Sequence, residues 1–237
     1  MTPLTYLEVD GAGVTGAIRI NDLPVVALIA EGMRAYVPVP ALLVRGANSL
    51  SAQVRANAPE ARLSARVALF DDGEEFFTGA GRTLARIDAP PTTGRVQVTF
   101  DCPIGPAAWA WHSCRRWASA AEALASAAPF VATLTAAFTR GDAATIVAAC
   151  APYLADLASA FPNRPAGFYA QQMMEHLSQR ATLLPLRPDG SVLCADGRLL
   201  HLLAGDGNDL IRGQDQDGPF SWRALIGEID GRWTVIR

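Results

Sequence analysis

Residues 102–117 read CPIGPAAWAWHSCRRW, and the hydrophobic pattern follows a different period on either side of this stretch. Ahead of it, short runs bury alternate side chains. In RVQVTF, residues 95–100, Val96, Val98 and Phe100 share one face while Gln97 and Thr99 take the other. TYLEVD, GAIRI, PVVALIA, SLSAQVRA and ARLSARVALF read the same way. Turn signals lie between the runs at Asp10-Gly11, Asn21-Asp22, Gly46-Ala47-Asn48, Asp71-Asp72-Gly73 and Ala89-Pro90-Pro91. Strands at this spacing, with no long helical pattern between them, predict an antiparallel β-sandwich over residues 1–103.

Past the stretch, apolar residues recur at threes and fours in ASAAEALASA, FVATLTAAFTRG, DAATIVAACAPYLADLASAF and GFYAQQMMEHLSQRATLL. Phe130, Leu134 and Phe138 form one stripe; Ile146, Cys150, Leu154 and Leu157 form another. Arg140-Gly141-Asp142 reads as a helix end, a C′ glycine and the next N-cap, and Pro152 must kink or split the helix it falls in. Beyond Leu183, SVLCA, RLLHLLAG, DLIRGQ, FSWRALIGEI and RWTVIR predict strands. Asp-Gly pairs at 189–190, 196–197, 206–207, 217–218 and 230–231 mark turns of a meander. Residues 104–237 therefore predict an α+β domain with helices on an antiparallel sheet, and the whole chain is α+β.

Composition excludes several functions. Half of the 237 residues are hydrophobic and 18% are charged, enough apolar surface to offset chain entropy. A net charge of -3 predicts no nucleic-acid partner and no anionic membrane surface. All 20 cationic residues are arginine, which excludes a Walker lysine, a Schiff-base lysine and a lysine general base. No basic stretch with an apolar h-region opens the chain and no run approaches the ~20 apolar residues of a membrane span, so the expected location is the cytoplasm. Cys102, Cys114, Cys150 and Cys194 show no CxxC spacing and are expected to be reduced and buried.

INDLPV (residues 20–25) and VPVPALLVRGANSL (residues 37–50) resemble galactose-binding-like and immunoglobulin-like β-sandwich modules in their turn pattern. The second half resembles NTF2-like α+β cone domains: a helix, Gly141-Asp142, a further helical region, then a sheet closing with Asp230-Gly231-Arg232-Trp233. Both resemblances imply folds that host enzymes as well as binding modules.

Individual motifs divide sharply. Residues 11–16, GAGVTG, match a dinucleotide fingerprint with Glu31 at the expected distance, but AIRIND alternates with period two and Pro24 follows, so a glycine-rich hairpin is the expectation. Residues 204–212, AGDGNDLIR, resemble one calcium-binding nonapeptide of the RTX type; such repeats work by stacking, and a turn is expected instead. The acidic run Asp71, Asp72, Gly73, Glu74 and Glu75 reads as a solvated hairpin tip.

Trp109, Trp111, His112, Cys114, Arg115, Arg116 and Trp117 concentrate aromatic rings, guanidiniums and a thiol in nine residues. A Cys-His nucleophile pair, a recognition patch and a structural plug are the three readings. His176 on a helix with Tyr169 and Met173, together with His201 and Trp222, forms a candidate pocket lining that rests on the cone resemblance. Neither histidine has a second ligand at metal spacing, so neither a metal nor a cofactor is expected. Tyr36, Phe76 and Phe77 are the aromatics a sugar-binding sandwich would present. The expected function is binding or assembly without catalysis, through residues 109–117 and with a protein partner or a second copy. The alternatives are an enzyme or small-ligand binder with a pocket in the second half, and carbohydrate binding by the first.

Overall fold

The computed structural model describes residues 3–71, 74, 80–89 and 93–237. The chain forms two compact units, residues 1–109 and 110–237. In the first unit the described strands are β1 (Leu4–Ala12), β2 (Val14–Ile20), β3 (Leu23–Leu28), β4 (Met33–Pro38), β5 (Gly46–Ala56), β6 (Arg62–Phe70), β7 (Arg82–Ala89) and β8 (Gly94–Cys102). They pair in two antiparallel sheets, ordered β4-β1-β6-β7 and β3-β2-β5-β8. Leu7, Val9, Val67 and Ile87 from one sheet and Ile18, Leu50, Val54 and Phe100 from the other belong to a single buried cluster.

Sequence reading misses β4 and β7, the two edges of one sheet. Edge position alone is not the reason, since β3 and β8 are the edges of the other sheet and both are legible; β4 and β7 are poor in large buried apolar residues, with no residue of β4 fully buried and β7 reading RTLARIDA. The fingerprint-like glycines build the expected hairpin. Gly13 turns the chain between β1 and β2 at φ 66°, with its N–H donating to the Ala30 carbonyl at 3.0 Å. Gly16 lies within β2, where a Cβ would stand 2.0 Å from the Gln53 carbonyl oxygen, so close backbone approach excludes any side chain. Asn21 Nδ2 donates to the Leu42 carbonyl and to Asn48 Oδ1 at 2.9 and 2.8 Å, and Asn48 Nδ2 donates to the Val44 and Gly46 carbonyls. The turn asparagines thus tie loops within this unit.

The second unit opens with four helices, α1 (Ala120–Arg140), α2 (Ala143–Ala149), α3 (Ala151–Ala160) and α4 (Phe168–Leu177). Seven described strands follow: β9 (Thr182–Leu183), β10 (Val192–Cys194), β11 (Leu199–His201), β12 (Ile211–Asp215), β13 (Gly218–Trp222), β14 (Leu225–Ile229) and β15 (Arg232–Val235). Ser119 caps α1 by accepting from the Glu122 N–H, Gly141 ends it at φ 69°, and Asp142 caps α2. Two expected helical runs fuse, because α1 continues through Pro129. Pro152 enters the first turn of α3, and the chain bends 67° between α2 and α3.

Two expectations need correction. FSWRALIGEI is not one strand: β13 and β14 lie in different sheets, ordered β13-β12-β9 and β10-β11-β14-β15. Between them the Ala224 carbonyl accepts from the Leu202 N–H at 3.0 Å, which hands the chain from one ladder to the other. The strands therefore do not run as a simple meander. Also, α1 is long and apolar enough, by length and composition, to cross a membrane. In this fold its Ala123, Ala127, Leu134 and Phe138 pack into a core with Leu200, Leu202, Ile226 and Val235.

Candidate functional site

One cleft of the second unit is assembled from α3, α4 and β13. Residues one helical turn apart share a face, so α3 presents Tyr153, Leu154 and Leu157 while α4 presents Tyr169, Gln172, Met173, His176 and Leu177. Trp222, at the end of β13, completes a cleft of about 300 Å³. Tyr169, Met173, His176 and Trp222, singled out in sequence, are brought together here with α3 side chains that sequence reading missed.

Packing behind the cleft holds these rings. Trp222 tilts against Phe138 with centroids 4.9 Å apart, and Tyr169 meets Phe168 edge-on at 5.2 Å. Burial pushes the Tyr153 phenol above its ordinary range, with the Arg237 guanidinium opposing. That guanidinium stands 5.6 Å from the Tyr153 ring and pairs with Asp156 at 2.9 Å. Burial in turn pushes Arg237 below its ordinary value, while Asp156 pulls it back. At the rim, His176 Nδ1 lies 2.9 Å from the Gln172 carbonyl. A carbonyl only accepts, so Nδ1 carries the proton and a neutral ring keeps Nε2 as acceptor.

His201 lies outside the cleft lining. It is buried on β11, with Nε2 3.5 Å from Asp209 Oδ1. Ser221 donates to Asp209 Oδ2 at 2.8 Å, and the neighbouring His201 ring first, then this bond, hold the Asp209 carboxyl below its ordinary value. The three residue types are those of a hydrolase triad, but the serine donates to the carboxylate and not to the imidazole, so nothing activates its oxygen. They all fall within residues 201–221, yet no spacing signal announces them.

The aromatic–arginine segment is divided between the units and engaged within each. In the first, Trp109 is buried and donates from Nε1 to the Leu43 carbonyl at 2.8 Å. In the second, buried Trp111 stacks on His112 at 3.6 Å and Trp117 stacks on Trp233 at 5.6 Å. The Arg115 guanidinium covers the Trp117 ring at 4.2 Å and faces Glu228 at 3.5 Å, and Arg116 pairs with Asp196. Cys114 points its thiol at the Ala110 carbonyl, 3.9 Å away, and burial pushes it up to about 12. A thiol so held lacks the activation that a Cys-His nucleophile requires.

Asp206, in the stretch that resembled a calcium repeat, accepts from the Asn208 N–H and pairs with Arg212, as a turn residue does. Among the described residues, no three His, Cys, Asp or Glu side chains cluster as a metal site would require. Phe76 and Phe77, with Asp72, Gly73 and Glu75, lie outside the described residues. No protein-family model, curated protein or solved structure matches this chain.

Proposed function

We propose that this chain is a binding protein rather than a catalyst, built from a β-sandwich module followed by an NTF2-like module. The second module takes a small, flat, mainly apolar ligand in the cleft between α3, α4 and β13. The observation that carries this reading is the convergence of Tyr153, Tyr169, Met173 and Trp222 from three elements on one cleft of about 300 Å³. That size and lining suit a small ligand, with rim groups Gln172 and His176 to orient it. Binding is favoured over chemistry because His176 faces its own helix carbonyl and the Asp209 cluster has the wrong donor order. Among the aromatic and charged residues of segment 109–117, Arg115 and Arg116 are exposed, and both already face carboxylates.

The test is titration of the full chain with the neutral dye N-phenyl-1-naphthylamine. A saturable rise in dye fluorescence is expected, and Met173→Trp, which fills the cleft, weakens it roughly tenfold or more. His176→Gln, keeping a polar rim, changes it by less than about threefold. No saturable signal, or one that Met173→Trp leaves intact in a folded protein, defeats the proposal.

A further inference from the structure

The register of the β4-β1-β6-β7 sheet lays rows of charge around a depression of about 520 Å³ on the face opposite the core. Those charges are matched within the face. Arg66 on its floor is only 6% exposed, and each of its donors is engaged: Nε on Thr83 Oγ1, Nη1 on both Glu8 oxygens, and Nη2 on the Ala80 and Gly81 carbonyls, all at 2.7–3.2 Å. At the rim Arg34 and Arg62 share Asp10, and Arg86 pairs with Asp88. The free edge of the other sheet is balanced differently.

A sheet edge is a row of unpaired backbone donors and acceptors, which folds blunt with proline, bulges, charge or shortness. β3 carries Pro24 and pairs across a bulge at Ile18/Arg19, and β4 is six residues long and ends in Pro38. β7 pairs across a bulge at Val67/Ala68 and carries Arg82, Arg86 and Asp88. β8 is different. It runs nine residues in unbroken register with β5 and without proline, and among the described residues no backbone hydrogen bond reaches its outer side. Its core-facing Val96 and Val98 are only half-buried, while Arg95, Gln97, Thr99 and Asp101 are exposed on the other face. Among the described residues no ion pair or hydrogen bond engages the Asp101 carboxylate. Arg95, 51% exposed, donates to Gln97 Oε1 at 3.0 Å and stands 3.7 Å from Asp22, a carboxylate that Arg19 already holds at 3.3 Å.

Antiparallel pairing of β8 with a second β8 answers both the open ladder and the unmatched charge. A two-fold axis at Val98 overlaps all nine residues, with Gly94 against Cys102. The same register sets Arg95 directly opposite Asp101 at both ends, Gln97 opposite Thr99, and Val96 opposite Phe100. Moving the axis to Gln97 or Thr99 breaks both charge pairs and shortens the overlap. We infer that β8 is a self-complementary edge through which two copies of this chain join their four-stranded sheets into one continuous sheet. This contact is independent of the cleft in the second unit.

Sedimentation velocity of the full chain, from about 2 to 200 μM, tests the assignment. An edge contact of this size is small, so a reversible dimer is expected to form over roughly 10–100 μM. Asp101→Arg sets arginine against Arg95 twice in each dimer and should weaken dimerisation about tenfold or more. The exchange Arg95→Asp/Asp101→Arg restores opposite charges in the same register and should return it to within about threefold of the parent. Both positions are exposed, so thermal midpoints should move by no more than ~3 °C. A monomer throughout, a dimer that Asp101→Arg leaves intact, or a dimer that the exchange fails to restore in a folded protein would each overturn the inference. The first of these would leave the edge to an extended segment of another protein.

Discussion

The two depressions are built in opposite ways. The charged face of the first unit is laid out by one sheet, whose register alone decides which side chains stand in a row. The aromatic cleft of the second unit is assembled from two helices and a strand end, so its shape depends on how the rings behind it pack. A ladder of backbone bonds carries a polar surface whose partners are exact neighbours, and a single substitution there breaks a charge balance. A packed cleft carries an apolar surface, and a substitution there changes volume. The teaching is that the same chain exposes one surface governed by electrostatics and another governed by shape.

The sharpest way to break this contrast is at the floor of the charged face. Glu8→Ala leaves the Arg66 guanidinium buried without its carboxylate. Urea unfolding should show a loss of about 3–5 kcal/mol in the first unit, and a loss under about 1 kcal/mol would show that the pair is solvated after all. Next in size is Trp222→Ala, which removes a cleft wall and its contact with Phe138. It should cost the second unit roughly 2–4 kcal/mol in the same measurement.

A third experiment separates the units by chemistry. The four cysteines are buried and unpaired by disulfides, Cys102 in the first unit and the other three in the second. Burial pushes Cys114 and Cys150 up to about 12. A thiol reagent at neutral pH should label none of them in the folded protein. As urea rises, the release of one thiol before three, or three before one, identifies which unit opens first; labelling in buffer would contradict the burial.

The smallest effect is electrostatic and belongs to the second unit. Asp209 is held below its ordinary value of 3.8 by His201 and then Ser221, so the folded state favours its ionised form. Its contribution is present above 3.8 and disappears as pH falls through the lower folded value. Asp209→Asn should therefore flatten the acid limb of the second unit's stability profile, measured by thermal denaturation from pH 5 downward in steps of about half a unit. An unchanged limb would assign acid sensitivity elsewhere.

Legibility in sequence follows the same division. Central strands such as β1, where Leu7 and Val9 alternate with Glu8 and Asp10, announce themselves because one face is buried. β4 and β7, poor in large buried apolar residues, do not, and with them went the charged face, since pairing Arg34 with Asp10 requires knowing that β4 exists. In the second unit Tyr169, Met173 and His176 could be grouped because they share a helix face. Tyr153, Leu154 and Leu157 escaped because Pro152 left open whether the helix bends or breaks, and the 67° turn decides where they point. The break after Trp222 carries no glycine or proline to mark it.

The fully engaged Arg66 guanidinium has a practical corollary. Dicarbonyl reagents that condense with arginine need an accessible pair of nitrogens, which Arg34 and Arg62 offer and Arg66 withholds. Peptide mass mapping after brief treatment with phenylglyoxal would then print the outline of the rim onto the chain, with Arg66 as its internal blank.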